Sequence, residues 1–302
     1  MAGEESTRAV LAALAANLGL AVAKFVGFLV TGSSAMLAES VHSVADTSNQ
    51  GLLLVGKRTS RRRATPEHPF GYGRDRYFYA FVVALLLFSL GSVFALYEGV
   101  RKVFGAETLT SPLVAVVILL VGIGLESLSL RTAVRNSRAA RGTRSWWRFI
   151  RQAKEPELPI VLLEDSGALV GLVLALAGIG LTVLTGDPVW DGVATLGIGA
   201  LLGFIAVTLI IETKSLLVGE GASAEEVRRI REALVGSRVS RVIHLRTEYL
   251  GPEELLVAAK IAVTASLSTR EVAAAIDEAE GRLRAAVPVA RLVYLEADLD
   301  RG

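Results

Sequence analysis

The chain has 302 residues, 52% of them hydrophobic and 21% charged, with 32 Lys and Arg against 30 Asp and Glu. Near-neutrality removes any global pull towards nucleic acid. The absence of cysteine excludes disulfides and thiolate metal sites, leaving His and carboxylates as the strong metal ligands.

So much apolar sequence beside so many charges calls for one part in lipid and one in water. The charges segregate accordingly, which divides the chain into residues 1–214 and residues 215–302. Met1–Thr7 carries Glu4 and Glu5 and lacks the basic region and cleavage site of a signal peptide, so the first apolar run is expected to remain as a helix. A bilayer-spanning helix needs roughly 20 mostly apolar residues. Six segments meet that length: Arg8–Val30, Ser34–Gly56, Tyr77–Val103, Pro112–Ala133, Leu158–Leu184 and Val189–Ile211. The second is the least hydrophobic, holding Glu39, His42, Asp46, Asn49 and Gln50. It is kept as a span because polar residues in such a segment often face a cavity.

The loop after the second segment holds Lys57, Arg58, Arg61, Arg62 and Arg63, and the loop after the fourth holds Arg135, Arg138, Arg141, Arg144, Arg148 and Arg151. The opposite turns, Thr31–Ser33 and Thr185–Pro188, carry no basic residue. The positive-inside rule then puts both termini and both basic loops in the cytoplasm, with the cell (inner) membrane as the expected location. Trp146-Trp147-Arg148 within a basic loop reads as an interfacial anchor to membrane lipid.

Beyond Ser215 the pattern is that of a small water-soluble domain. Ser223–Leu234 opens with Ser-Ala-Glu-Glu, a capping-box-like start, and Ser268–Ala286 repeats the amphipathic pattern. Val239–Tyr249 and Leu255–Val263 read as strands joined through Gly251-Pro252, with a last strand at Arg291–Glu296. The expected order is αββαβ, a ferredoxin-like sheet with both helices on one face. Some 80 residues is a marginal core, and a homodimer through this domain is the expectation.

His42 and Asp46 stand at i and i+4 on the second segment, with Glu39 three residues earlier on the same stripe. This is the spacing by which one helix offers two ligands to one ion. Ionisable residues in a span cost roughly 2.5–3.5 kcal/mol each on insertion scales and are seldom idle. The fifth segment brings Glu164 and Asp165 about two turns into apolar sequence. An imidazole, two carboxylates and a further oxygen make an N/O site suited to Zn2+ and tolerable for Mn2+, Fe2+ or Co2+. Adjacent residues diverge by about 100° on a helix, so Asp165 is taken as the ligand and Glu164 as a helper or proton carrier.

Ser34-Ala-Met-Leu-Ala-Glu-Ser-Val-His-Ser-Val-Ala-Asp resembles the second helix of the cation diffusion facilitators. His68-Pro-Phe-Gly-Tyr-Gly-Arg resembles their loop before the third helix, and the run from Asp191 resembles the start of their sixth. The run from Ala45 is similar to the branch containing the animal mitochondrial zinc exporter and its bacterial relatives. The resemblance implies a homodimeric membrane transporter, not an enzyme, that exchanges divalent metal for protons by alternating access, with metal as substrate and no cofactor. It implies ligands at His42, Asp46 and Asp165. Where the family's fifth helix usually adds a His, this chain has Val161, so Glu164, Glu39, Asn49 or water must complete the site. Tyr72 stands where a second loop His would be, and Lys260 and Glu296 occupy strand positions of an interfacial site, so strong metal binding is expected at neither place. The rival readings are an exporter of another divalent metal and a metal-sensing or scaffold protein without turnover. There is no His-Glu-x-x-His helix for a metal hydrolase and no Gly-rich phosphate loop for ATP.

Overall fold

The computed structural model describes residues 18–105 and 111–299. They form two compact units, one running to Gly56 and from Phe78 to Thr213, the other from Lys57 to Tyr77 and from Lys214 onward.

The first unit is helical. Within the described residues it contains α1 (Leu18–Thr31) and α2 (Ser34–Thr59), then α3 (Asp75–Leu86) and α4 (Phe94–Phe104) joined by a π-helical stretch, Leu87–Val93. There follow α5 (Pro112–Arg141), α6 (Trp146–Gln152), α7 (Glu157–Thr185) and α8 (Val189–Val218). Among the described residues, four helical rods are long and apolar enough to cross a membrane: Asp75–Phe104, α5, α7 and α8. At about 1.5 Å per residue, rods of 29 or 30 residues outreach the roughly 30 Å hydrocarbon layer. The part of the first expected span before Leu18 lies outside the described residues. The expected polar span is present as a helix, α2, although its polar stripe keeps it out of the apolar class.

The rods run past their expected ends because apolarity is not what stops them. α5 continues eight residues beyond Ala133, to the residue before Gly142, and α8 continues to the residue before Gly219. Both glycines hold positive φ, +57° and +124°, where a side chain is strained. The short α6, within what the sequence presents as a basic loop, is a further difference. Ser145 caps it by accepting from the Arg148 backbone N–H, and the Arg141 guanidinium lies 4.4 Å from the Trp146 ring.

Apolar residues fill the core of this unit, including Ala35, Met36, Ala84, Leu119, Leu172, Ile198 and Leu202. The outward faces are equally apolar. α5 exposes Leu113, Val117, Leu120, Val121 and Leu128, and only 17% of its most apolar window is buried, against 44% for α7 and α8. A contiguous apolar face of that kind is unfavourable in water and natural in lipid.

The second unit has the order α9 (Ala224–Leu234), β1 (Val239–Gly251), β2 (Glu254–Val263), α10 (Thr269–Ala286) and β3 (Leu292–Leu299). Its sheet order is β1-β2-β3, antiparallel between β1 and β2 and parallel between β2 and β3. The parallel pair requires a crossover, which α10 supplies. Ile230 and Leu234 of α9 join Ala279 and Leu283 of α10 over Val257 and Ile261 of β2 in one core. Ser223 with Glu226, and Ser268 with Glu271, form complete capping boxes. The strands exceed their expected ends because pairing extends them. Gly251 pairs with Glu254 across the turn, and β3 follows β2 to Leu299. The segment Lys57–Tyr77, read from sequence as a connection in the membrane part, packs with this unit. An ion pair from Arg74 to Glu248 holds it there.

Candidate metal site

α2 repeats polar residues at intervals of three and four, and the helix turns that stripe inward. Glu39, His42 and Asn49 are fully buried, and the Asp46 side chain is 15% exposed. The same face holds Ser40 and Ser43, while Val44 and Val55 lie on the outer side. The N-terminus of α2 is fixed from α8. Asp191 accepts from the Ser33 hydroxyl at 2.6 Å, the Ser34 backbone N–H at 2.9 Å and the Ser34 hydroxyl at 3.0 Å. A buried carboxylate thus caps the helix that carries the stripe.

His42 Nε2 and Asp46 Oδ2 lie 3.4 Å apart, close enough to share an ion but too far for a good hydrogen bond. Glu39 is engaged differently. Lys24 of α1 lies 3.1 Å from Glu39 Oε2 and donates to Ser43 Oγ at 2.8 Å, with Lys24 and Glu39 both fully buried. Lys24 is thus the partner of a buried carboxylate. On α7, Glu164 and Asp165 diverge as neighbours on a helix must. Glu164 Oε1 accepts from Asn49 Nδ2 at 2.8 Å, and Asp165 Oδ2 accepts from Ser129 Oγ of α5 at 2.9 Å. Val161, one turn before Asp165, packs against hydrophobic neighbours.

The six candidate residues therefore fall into pairs: His42 with Asp46, Glu39 with Lys24, Asn49 with Glu164, and Asp165 with Ser129. Among the described residues no three His, Asp or Glu side chains are gathered around one point as a finished metal cage. Yet both ring nitrogens of His42, Asp46 Oδ1, Glu39 Oε1 and Asn49 Oδ1 are buried without a hydrogen bond. Each such atom costs about 1–3 kcal/mol, so a cluster of them on one stripe is the mark of a site that takes a polar occupant. Close helix approach brings the walls in. A Cβ on Gly171 of α7 would collide with the Glu39 carboxylate, and one on Gly91 of the π-helical stretch would stand 3.9 Å from His42 Nδ1.

Ser129, Gly171 and the capping role of Asp191 are not legible in the sequence alone. A serine or glycine in an apolar helix has many uses, and only the neighbour it meets distinguishes them. Glu98 pairs with Arg101 at 2.7 Å. The His68 ring packs on the Tyr72 ring with centroids 4.6 Å apart. Lys260 is held by Glu296 at 3.2 Å and Asp298 at 3.0 Å.

Residues 10–218 match the cation efflux transmembrane domain. The chain is 34% identical over 225 residues to the human mitochondrial proton-coupled zinc antiporter SLC30A9, an alignment covering 73% of this chain and 39% of that protein. It is 30% identical over 261 residues to metal tolerance protein C4 of Arabidopsis thaliana, covering 85% of this chain and 57% of the other. To the magnetosome protein MamB of Magnetospira sp. it is 25% identical over 280 residues, covering 92% and 90%. The chain spans about two-fifths of the length of the vertebrate SLC30A9 proteins it matches. Members of the matched family are transporters, not enzymes, and the metal is what they carry. On the match across 10–218, the chain belongs to the cation efflux family, the cation diffusion facilitators.

Proposed function

We propose that the chain exports Zn2+ from the cytoplasm in exchange for protons, by alternating access of a site built on His42, Asp46 and Asp165. The observation that carries this reading is the buried stripe of unpartnered nitrogen and oxygen atoms on α2, at His42 and Asp46, within the matched domain. Similarity to a proton-coupled zinc antiporter supports both the ion and the coupling. A neutral imidazole with carboxylates is a donor set that suits Zn2+. Glu164 and Asn49 form the adjoining pair that supplies the remaining oxygen, and Glu39 balances charge through Lys24.

His42 and Asp46 are the pair already in reach of one ion, and movement of α2 relative to α7 would bring Asp165 to them. Metal needs the deprotonated ligands, so loading expels protons and acid on the far side ejects metal. An imidazole with an ordinary pKa near 6.5 responds to modest pH differences across a membrane. α1, α2, the α3–α4 rod, α5, α7 and α8 serve as six spans in this reading. The basic loops put both termini in the cytoplasm of the cell membrane. The αββαβ unit, read as ferredoxin-like and cytoplasmic, joins two copies into a homodimer.

Proteoliposomes loaded with a zinc-sensitive dye test it, with and without an inside-acid gradient. The expected result is proton-stimulated zinc uptake in the wild type, lost in Asp46→Ala and in Asp165→Ala. Flux of Mn2+, Fe2+ or Co2+ without zinc flux would change the substrate. Metal binding with no flux of any ion would overturn transport in favour of a sensor or scaffold.

A further inference from the structure

The second unit holds a cavity of about 250 Å³ on which the metal site makes no claim. Five cationic side chains line it, Lys57, Arg61, Arg62, Arg76 and Arg291, against two carboxylates, Glu253 and Glu254. The cations outnumber the carboxylates around it. Glu253 stands 3.9 Å from both Arg76 and Arg291, and Glu254 stands 4.0 Å from Arg291, all at the outer limit of an ion pair. Lys57, Arg61 and Arg62 make no ion pair among the described residues. Arg76 is only 9% exposed, so one guanidinium is set into the wall.

The cavity is built by the backbone rather than left by chance between mobile side chains. Gly73 lies against the β1–β2 turn so closely that a Cβ there would stand 2.6 Å from the Leu250 carbonyl oxygen. A Cβ on Gly251 would likewise stand 2.9 Å from Gly73 Cα. This glycine-on-glycine crossing holds the chain just before Arg76 against the β1–β2 turn, and Arg76 shares the cavity with Lys57, Arg61, Arg62 and Arg291. If the basic run served only to orient the chain in the membrane, nothing would require it to close around a cavity shared with a residue more than 200 positions later.

We propose that this cavity binds a phosphate-bearing anion, either a phospholipid headgroup or a small soluble polyphosphate. Guanidinium groups match phosphate oxygens with paired donors, and clustered ones hold a doubly charged group more firmly than a carboxylate. Lys57 lies in the last turn of α2, two residues from its end, so the cavity is tied by sequence to the end of a proposed span. Anionic headgroups are held by basic pockets in such places. The inference does not depend on which metal is carried, and only its lipid arm rests on the membrane-spanning reading of α2.

The test uses the full chain in neutral detergent. Its thermal unfolding is followed with sodium pyrophosphate and with dioleoylphosphatidylglycerol. The controls are dioleoylphosphatidylcholine and chloride at matched ionic strength. The variants are Arg62→Gln/Arg291→Gln, the charge-keeping Arg62→Lys/Arg291→Lys, and a charge-matched control outside the cavity, Arg58→Gln/Arg135→Gln. The expected result is saturable stabilisation by pyrophosphate or by the anionic lipid. The concentration needed should rise about tenfold per arginine removed. It should be unchanged in the control variant and intermediate in the lysine variant. Stabilisation by both anions identifies the shared phosphate chemistry, and stabilisation by the lipid alone identifies the headgroup as its source. Stabilisation no greater than chloride and the zwitterionic lipid give would overturn the proposal. So would equal weakening in the cavity variant and the control variant, which means diffuse surface charge. If the glutamine variant unfolds without ligand, the lysine variant decides: stabilisation equal to wild type by both anions would overturn the arginine site. Because the readout is unfolding rather than flux, a failure here leaves the transport reading untouched, and the converse also holds.

Discussion

Lys24→Met removes one member of a fully buried ion pair whose charged atoms are 3.1 Å apart. At an effective dielectric near 20, such charges attract by roughly 5 kcal/mol, most of which offsets their own desolvation. Deleting only the cation keeps the desolvation cost of Glu39 and discards the attraction, and it leaves Ser43 without its donor. Breaking a buried pair this way typically costs about 3–5 kcal/mol. Polar contacts measured within bilayers are weaker than those in water-soluble cores, so the low end, about 3 kcal/mol, is the expected value. For a helical unit of this size that is a fall of about 6–12 °C in Tm. The assay is thermal unfolding of purified protein in detergent, with Lys24→Met/Glu39→Gln alongside. The double variant should recover more than half of the loss, because it no longer buries a lone charge. A single variant within about 2 °C of wild type would refute the reasoning, as would a double variant that falls as far as the single.

Asp191→Ala should cost about 1–3 kcal/mol, since it takes the acceptor from three donors at the start of α2; thermal unfolding measures this, and Asp191→Asn should lose less. Gly171→Ala forces a methyl group against the Glu39 carboxylate and should destabilise by about 1–3 kcal/mol; an unchanged melt would mean that Glu39 moves aside freely. In the second unit, burial and the Glu226 carboxylate 2.6 Å from its hydroxyl push the Tyr249 pKa well above the ordinary value of 10.0. The folded state then holds a proton that the unfolded chain releases. The contribution is intact below about pH 10 and falls as pH rises beyond it. Circular dichroism of the sheet between about pH 9 and 11.5 should show that loss, reduced in Tyr249→Phe.

Much of the architecture was legible because its signals are repetitive. Long apolar runs mark α5, α7 and α8, and Ser-x-x-Glu spacing marks the starts of α9 and α10. The inward stripe on α2 could be read from spacing, since His42 and Asp46 at i and i+4 must share a face. Partner choice could not be read. That Lys24 meets Glu39, or that Ser129 meets Asp165, depends on how separate helices are rotated against one another, and no local pattern carries that information. The helix ends were misjudged for a related reason. Hydropathy reports where lipid begins, whereas the ladder of α5 and α8 stops only at Gly142 and Gly219. The segment 57–77 is a third case, since the close contact of Gly73 with Gly251 that binds it to the second unit is made by atoms every residue shares.

The π-helical stretch Leu87–Val93 amounts to one surplus residue accommodated within an otherwise continuous rod. That surplus resets the phase of everything after it. Ala95, Glu98, Gly99 and Lys102 of α4 face inward only because the extra residue has advanced the helix by about 100°. Removing Ser89 would restore an unbroken α ladder. It would also swing Glu98 and Lys102 towards lipid while taking Gly91 away from the His42 ring. The irregular stretch is therefore a register setting for the rod, and a sequence with more regular helices would be a worse protein.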